Sequence, residues 1–387
     1  MKASAFVYPW DVNGDPQAAA RIAGLGVEQV TLAAAYHSTR ALTPRHPRHR
    51  IVTAEHAAVL YPVDPRRWEG RTPRPYPAGD WAPGDAFGEA ADALTAAGLE
   101  VHTWVVLAHN SRLGAEHPGT SVVNAYGDRY PWAPCIAQQA TRAYLVDLAA
   151  EAAVRPGARG TELESLGWYG LQHLHAHDKT SGVGLGEAGQ YLMALCFCPD
   201  CRAGYAGEGL DADELAASVR DALEPLWQGT AAEDGGWAGV EKLLGEETAA
   251  ATRAWRDRTA RTLQEDAVAA VRAAAPEGFQ VLLHADPVSY HCGANPGVDP
   301  AHILSVADGV VVPCAGGTEP LTPFAGQGRA GAVIAANFTV VSGMGGSPAT
   351  LAADAARARA LGATELRLYH AGLASDGDLA AVREALR

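Results

Sequence analysis

Four cysteines are spaced in a way that suits one metal ion better than paired disulfides. Cys196, Cys198 and Cys201 follow one another as C-x-C-x-x-C, and Cys135 lies earlier in the chain, from where it could reach across to them. Four thiolates can surround a zinc ion tetrahedrally with Zn–S bonds of about 2.3 Å, and such closed sites are structural. We therefore expect a structural zinc site, with cysteines packed as small core residues as the alternative.

Carboxyl groups at strand ends could transfer protons. Glu164 is the first choice for a proton donor, because apolar neighbours in the sequence would raise its pKa. Asp286 is the choice for a second carboxylate and Asp178 the runner-up, since glycoside hydrolysis generally needs two carboxyl groups. Glu162 points to the same side one layer deeper, which favours a buried, ion-paired role. Salt bridges or loop capping are the alternative roles for these acids.

Further polar and aromatic residues recur near the ends of the predicted strands. Flat aromatic faces suit pyranose rings, while His, Asn and Arg side chains bind hydroxyl groups. Packing at the rim of a barrel is the competing interpretation. The predicted substrate-binding residues are Trp10, Tyr36, His37, Arg40, Trp104, His109, Asn110, His173, His175, His177, Lys179, His284, Asn337 and Tyr369.

The histidines at 173, 175 and 177 alternate, so in an extended segment all three share one face. Together with Asp178 they resemble a divalent-metal site, and binding of substrate hydroxyls fits them equally well. The second hypothesis is therefore a metal-dependent sugar isomerase or epimerase with Glu164, Asp286 and histidines as metal ligands, beside the first, a carbohydrate hydrolase. A barrel that binds sugar without catalysis is the third hypothesis.

Eight short apolar runs, separated by helical segments, must position these residues. Strands alternating with helices imply a parallel sheet, and eight such units close most simply as a (β/α)8 TIM barrel. An open, doubly wound sheet is the competitor, but no G-x-G-x-x-G follows the first strand. The predicted strands span residues 3–10, 29–35, 101–108, 160–165, 279–285, 309–313, 332–337 and 366–370.

The chain is expected to form one domain over residues 1–387 with two long loops. Residues 38–84 follow the second strand and are rich in proline and arginine. Residues 166–276 follow the fourth strand and hold the cysteine cluster and about three helices, one of them predicted over 188–204. Long βα loops lie on the carboxyl face, where barrel enzymes build their active sites.

Composition narrows the classes of partner. The 387 residues carry a formal net charge of −14 and lack a long basic run, which argues against nucleic acid. No apolar stretch of membrane-spanning length occurs, and the amino terminus lacks the pattern of a signal peptide, so the cytoplasm is the expected location. The alanine-rich composition suggests a GC-rich bacterial genome. The expected partner is a carbohydrate substrate, with a homo-oligomer left open.

The cysteine motif resembles that of a known family. C-x-C-x-x-C followed by Arg-Ala-Gly-Tyr is similar to the zinc motif of family 42 glycoside hydrolases, the bacterial β-galactosidase type, in which an earlier fourth cysteine would correspond to Cys135. The pieces YHSTR, HNSRLG, ELESLGWYG and HLHAHDK also resemble an uncharacterised bacterial subgroup of glycoside-hydrolase-like barrels. The resemblance implies a barrel, a zinc site and sugar chemistry.

The sequence departs from that family at its catalytic positions. The family carries an Asn-Glu pair at the end of strand 4, which does not occur here, and a nucleophilic Glu at the end of strand 7, where this chain has Asn337. The two-carboxylate mechanism of the family is therefore not carried over. Glycoside hydrolysis by Glu164 and Asp286 remains the first hypothesis.

Overall fold

The computed structural model describes residues 1–174, 178–229 and 235–387, so that the predicted contacts His175 and His177 lie outside the described residues. Eight parallel strands of the described chain form the central sheet. In chain order they are β1 Lys2–Val7, β2 Gln29–Tyr36, β3 Glu100–Val106, β4 Ala158–Glu164, β5 Gln280–His284, β6 Gly309–Pro313, β7 Val333–Thr339 and β8 Glu365–Tyr369.

The sheet closes on itself. β1 pairs in parallel with β8, with Ala3 opposite Leu366, and also with β2, with Ser4 opposite Gln29. All other neighbours in the barrel are consecutive along the chain. Closure leaves no edge and distinguishes this arrangement from an open, doubly wound sheet. The predicted (β/α)8 TIM barrel is confirmed, and helices cover the outer face of strands such as β2, in which every residue is buried.

Helices follow the strands around the barrel. The 29-residue helix Glu246–Ala274 packs against Gln139–Ala153, and the latter also contacts β3 and β4. None of the helices within the described residues is both long and apolar enough to span a bilayer. The described α-helices are Pro9–Val12, Ala18–Ala23, Ala86–Ala96, Ser111–Glu116, Gln139–Ala153, Gly186–Ala194, Pro199–Gly207, Ala212–Trp227, Trp237–Leu244, Glu246–Ala274, Pro300–Val306, Leu351–Ala360 and Asp376–Ala385.

The segment after β4 contains more helices than the sequence predicted. Its described residues hold five, from Gly186–Ala194 to Glu246–Ala274, instead of about three. The single helix predicted over 188–204 is wrong: the chain leaves the helix after Ala194 and starts a new one at Pro199. Cys198 caps the new helix in an extended conformation, and proline at the first helical position suits a start. The break places Cys196 and Cys198 between the two helices and Cys201 in the first turn of the second.

The loop after β2 forms a two-stranded hairpin that the sequence did not predict. Thr39–Leu42 pairs antiparallel with Ile51–Ala54, with Leu42 opposite Ile51. A further short strand, Ala58–Val59, pairs antiparallel with β2. The hairpin lies beside the carboxyl ends of the barrel strands and therefore forms part of the wall of any cavity at this end of the barrel.

Candidate active site

A cavity of about 560 Å³ opens at the carboxyl ends of the barrel strands. Apolar strands finish here in polar and aromatic residues, as the sequence predicted, and the hairpin after β2 and the loop after β7 form its upper walls. Most of the predicted site residues line it, namely Tyr36, His37, Arg40, Trp104, His109, Glu164, His173, His284, Asn337 and Tyr369.

Glu164 is the last residue of β4 and is 9% exposed. Trp104 on the neighbouring strand β3 donates its indole N–H to the Glu164 carboxylate at 2.7 Å. Burial raises the pKa of Glu164, and the nearby negative charge of Glu162 adds to the rise, while His284 and the Trp104 hydrogen bond oppose it. The next residue, Ser165, has a φ of 56°, a backbone conformation that side chains other than glycine rarely adopt. The carboxyl group is thus held in an apolar place that favours its protonated form.

Beneath Glu164 lies a buried ion pair. Arg367 of β8 donates its Nε–H to Oε1 of Glu162 at 2.5 Å, and the Thr31 hydroxyl donates to the same oxygen at 3.0 Å. Burial alone would raise the pKa of Glu162, but Arg367 and His284 lower it to about 2. Glu162 is therefore a carboxylate, and its predicted role as a buried, ion-paired residue agrees with this geometry.

The His284 imidazole lies between the two glutamates. Its Nε2 atom is 3.4 Å from Glu162, although not aligned as a hydrogen bond, and its Nδ1 atom is 3.9 Å from Glu164. β5 pairs with β4 in a register that places Leu282 opposite Glu162, so His284 comes level with Glu164. The ring of Phe6 packs below at 5.8 Å from His284. Strand register therefore sets the position of this imidazole.

Tyrosines surround the carboxyl group on the side of β1, β2 and β8. The ring of Tyr36 is 4.6 Å from that of Trp104, and Tyr369 is 5.9 Å from the same indole. Tyr8, which follows β1, lies 4.9 Å from Tyr36. Burial, followed by neighbouring acidic groups, raises the pKa of all three phenols. They stay protonated near neutral pH and can donate hydrogen bonds.

Two histidines continue the aromatic wall as a stack. His37 lies 4.2 Å from Tyr36 and 4.6 Å from His109, whose other face lies 4.2 Å from Tyr169. Burial lowers the pKa of His37 to about 4 and, with the two neighbouring histidines, that of His109 to about 2. His37 Nδ1 is 2.7 Å from the carbonyl oxygen of Ser38 and must donate to it. These neutral rings leave ring nitrogens for hydroxyl groups of a ligand.

Asp286 lies in a second cavity, of about 380 Å³, beside the first. Its carboxylate accepts a hydrogen bond from the Val288 amide at 2.8 Å and lies 3.1 Å from His291 Nδ1. The pKa of His291 would be lowered by burial, but Asp286 and Glu187 raise it. The structure therefore brings Glu164 and Asp286 to the same face but not into one cavity. The two cavities share the wall formed by His173, Ala294, Asn295 and Pro313.

Four other predicted contacts do not line the main cavity. Trp10 lies on the one-turn helix Pro9–Val12 rather than on β1 and stacks on Tyr8 at 4.5 Å. Asn110 caps the helix Ser111–Glu116 by accepting from the Leu113 amide. Asp178 accepts from the Leu174 amide at 2.7 Å, and Lys179 is exposed next to it. The side chains of Trp10, Asn110 and Asp178 thus make contacts within their own segments.

The four predicted cysteine ligands converge. The sulfur atoms of Cys135, Cys196, Cys198 and Cys201 all lie within 4.8 Å of one another, and all four residues are buried. Cys135, which follows the strand Arg129–Pro134, is 3.6 Å from both Cys198 and Cys201. Amides of Val123 and Cys198 point at the Cys196 sulfur. Four such thiols could bind one metal ion, and within the described ranges no other group of three or more ligand side chains is as close.

Several lining residues were not predicted. Tyr169 faces the cavity, whereas its neighbour Trp168 turns away and donates its indole N–H to the Arg256 carbonyl oxygen at 3.0 Å. Neighbouring residues of an extended segment point to opposite sides, so the adjacent pair Trp168 and Tyr169 was the signal in the sequence that could have identified Tyr169. Asn295, Leu42 and Met344 also line the cavity. Leu42 lies on the hairpin after β2 and the other two on the segments that follow β5 and β7, and no local pattern in the sequence predicts the course of any of them.

The chain is similar in fold to solved glycoside hydrolases. α-L-Fucosidase isoenzyme 2 from Paenibacillus thiaminolyticus matches all of this chain with a TM-score of 0.60 at 13% identity over 49% of its own length. The glycoside hydrolase domain of PgaB from Bordetella bronchiseptica also matches all of this chain, with a TM-score of 0.57 at 16% identity. The match covers 99% of that domain. A GH42 β-galactosidase from G. stearothermophilus matches all of this chain with a TM-score of 0.53 at 11% identity, over 56% of its own length.

This chain thus spans about half the length of the fucosidase and the β-galactosidase, and nearly the whole of the PgaB domain. No protein-family model and no curated protein matches its sequence. At identities of 11 to 16% the likeness shows the barrel fold alone, so the chemistry must be argued from the residues.

Proposed function

We propose that this protein is a carbohydrate-active enzyme that hydrolyses a glycosidic bond, with Glu164 as the proton donor. The observation that carries the proposal is the state of this side chain: a buried carboxyl group, its pKa raised by burial, at the floor of a cavity of about 560 Å³. A general acid must hold its proton at working pH and release it to the leaving oxygen.

The walls of the cavity suit a neutral sugar. Trp104, Tyr36 and Tyr369 present flat apolar faces together with protonated phenols, and neutral His37 and His109 offer ring nitrogens. A pyranose has apolar C–H faces and an equator of hydroxyl groups, so it matches both kinds of surface. Glu164 is the one carboxylate among the described residues that line this cavity.

Asp286 is our candidate for the second carboxyl group, acting as a base on water. It lies two residues beyond His284, past the end of β5, and lines the second cavity. Inverting glycosidases separate their carboxyl groups by about 6.5–9.5 Å to leave room for water, whereas retaining enzymes need about 5–5.5 Å. Because the two carboxyl groups line different cavities, we propose the wider separation and an inverting reaction, with water entering from the second cavity.

We further propose that the four cysteines hold a structural zinc ion. Tetrahedral bonds of about 2.3 Å separate neighbouring sulfur atoms by about 3.8 Å, close to the 3.6 Å between Cys135 and its two neighbours. Zinc bound here would tie the segment after β4 to the strand that precedes Cys135. The resemblance of the C-x-C-x-x-C motif to the zinc motif of family 42 glycoside hydrolases supports this proposal.

A barrel that binds sugar without turnover is the second candidate. The observation in its favour is that Asp286 lines a different cavity from Glu164. A screen with aryl glycosides and natural oligosaccharides, including α-L-fucosides and β-D-galactosides, separates the two functions. We expect turnover by the wild type and its loss in Glu164→Gln. Binding without turnover by the wild type supports the second candidate, and equal turnover by both proteins removes Glu164 from the mechanism.

A further inference from the structure

Three large apolar side chains are exposed together at the mouth of the main cavity. Leu42 is 63% exposed, and Ile51 and Met344 are each 52% exposed. Leu42 and Met344 line the cavity from the hairpin after β2 and from the loop after β7, and Ile51 is the direct cross-strand partner of Leu42. Exposed apolar surface that gathers in one place usually marks a binding site.

The polarity of the cavity changes between its floor and its mouth. Glu164 and His284 occupy the floor, while Leu42 and Met344 stand at the mouth with Val341 next to them in the wall. The proton donor at the floor fixes where the scissile bond must lie. The sugar then occupies the polar floor, and the group beyond the bond extends towards the apolar mouth.

Arg40 adds a charge to this apolar surface. It lies two residues before Leu42 on the same hairpin strand, so both side chains share one face, and both are exposed. It lines the cavity, and no ion pair of its guanidinium is found within the described chain. A guanidinium and a thioether each attract the face or edge of an aromatic ring, and leucine adds apolar contact.

We propose that Arg40, Leu42 and Met344 form a subsite for an aromatic aglycone, so that the preferred substrate is a sugar joined to an aromatic alcohol. This inference rests on the proposed function, because it takes the position of the scissile bond from Glu164. A second copy of this chain covering the same apolar residues is the competing occupant.

The test compares benzyl and methyl glycosides of α-L-fucose and β-D-galactose. Both leaving groups are simple primary alcohols, so the comparison isolates recognition of the ring. Dissociation constants are measured with Glu164→Gln, which binds without turnover, and again after adding Leu42→Ser or Met344→Ser. Ile51→Ser is the matched control, since Ile51 is as exposed as Met344 but does not line the cavity.

We expect the benzyl glycoside of at least one sugar to bind about tenfold more tightly than its methyl counterpart, because the ring buries apolar area. Leu42→Ser and Met344→Ser should each reduce this ratio several-fold, and Ile51→Ser should leave it unchanged. Equal binding of both glycosides, or no binding of either, overturns the subsite. A concentration-dependent dimer that Leu42→Ser and Ile51→Ser both dissociate assigns the surface to a second copy instead.

The two proposals fail in different ways. Absence of glycoside turnover by the wild type counts against hydrolysis, whatever the benzyl preference. Turnover with no preference for the benzyl group, measured by binding to Glu164→Gln, counts against the aromatic subsite alone.

Discussion

Trp104 donates its indole N–H to Glu164 across 2.7 Å, and the contact links the neighbouring strands β3 and β4 at the floor of the cavity. The same indole packs against Tyr36 and Tyr369. One side chain therefore supplies both the apolar surroundings that raise the pKa of Glu164 and the hydrogen bond that limits the rise.

Replacing Trp104 with phenylalanine should move the pH dependence of the enzyme. The indole hydrogen bond favours the ionised carboxylate, so its loss raises the pKa of Glu164 further and keeps the proton donor protonated to higher pH. We expect the alkaline limb of kcat/KM to shift to higher pH in Trp104→Phe. Trp10→Phe is the control, because Trp10 stacks on Tyr8 and does not line the cavity that holds Glu164. A shift in the opposite direction would contradict the assignment.

Removing the charge of Glu162 should destabilise the barrel. Arg367 and Glu162 are both fully buried, and breaking such a pair leaves a buried cation uncompensated, at a cost of about 3–5 kcal/mol in the free energy of unfolding. Denaturant titration of Glu162→Gln measures it. Glu116→Gln, which removes an exposed partner of Arg112, should change the free energy of unfolding far less. Similar values for the two variants would refute the role of the buried pair.

The same pair makes stability depend on pH in a defined direction. The pKa of Glu162 is lowered from an ordinary 4.5 to about 2, so its contribution to stability is present above pH 4.5 and is lost as the pH falls through about 2. Unfolding free energies measured between pH 5 and pH 2 should therefore fall more steeply for the wild type than for Glu162→Gln. Parallel curves would show that Glu162 is not the responsible group.

Mutation of one cysteine of the cluster should remove the metal. We expect the purified wild type to contain about one zinc per chain that resists EDTA, and Cys196→Ser to lose that zinc and unfold at a lower temperature. Cys314→Ser is the matched control, since Cys314 is also buried but lies outside the cluster. Elemental analysis and thermal unfolding measure both effects. A metal-free wild type with unaltered stability in Cys196→Ser would contradict the zinc site.

Neutralising Asp286 should be visible at His291. Burial lowers the pKa of this imidazole, whereas Asp286 and Glu187 raise it above its ordinary value. In Asp286→Asn we expect the NMR-detected pKa of His291 to fall, because the nearer carboxylate charge is gone. The catalytic role of Asp286 is tested on the same variant, whose kcat should fall about 100-fold or more with little change in KM. A normal kcat together with the lower pKa would make Asp286 a structural partner of His291.

The barrel could be predicted from the sequence because its strands are short apolar runs between amphipathic helices. β6 matches the predicted bounds, and Glu164 and His284 end their strands close to where the sequence placed them. The convergence of Cys135 on the later cysteines was also predictable, because a C-x-C-x-x-C spacing is typical of a metal site that needs a fourth ligand. The spacing of apolar residues and the residue types at the strand ends were sufficient to predict these features.

Loops were not predictable in the same way. Asp286 was expected to share one site with Glu164 as the second carboxylate, but contacts with the Val288 amide and His291 hold its carboxylate in the second cavity. The hairpin that carries Leu42 consists of four-residue strands with exposed apolar positions, a pattern too short to distinguish from a loop. Side-chain direction beyond a strand end depends on tertiary contacts that no local pattern encodes.

The dependence of kcat/KM on the leaving group tests most directly the claim that Glu164 is the proton donor. A general acid matters for a poor leaving group such as methanol and hardly at all for 2,4-dinitrophenol, which departs without a proton. In Glu164→Gln we predict a fall in kcat/KM of about 10²–10⁴ for a methyl glycoside and of less than about tenfold for the dinitrophenyl glycoside of the same sugar. Equal losses for the two substrates would contradict Glu164 as the proton donor.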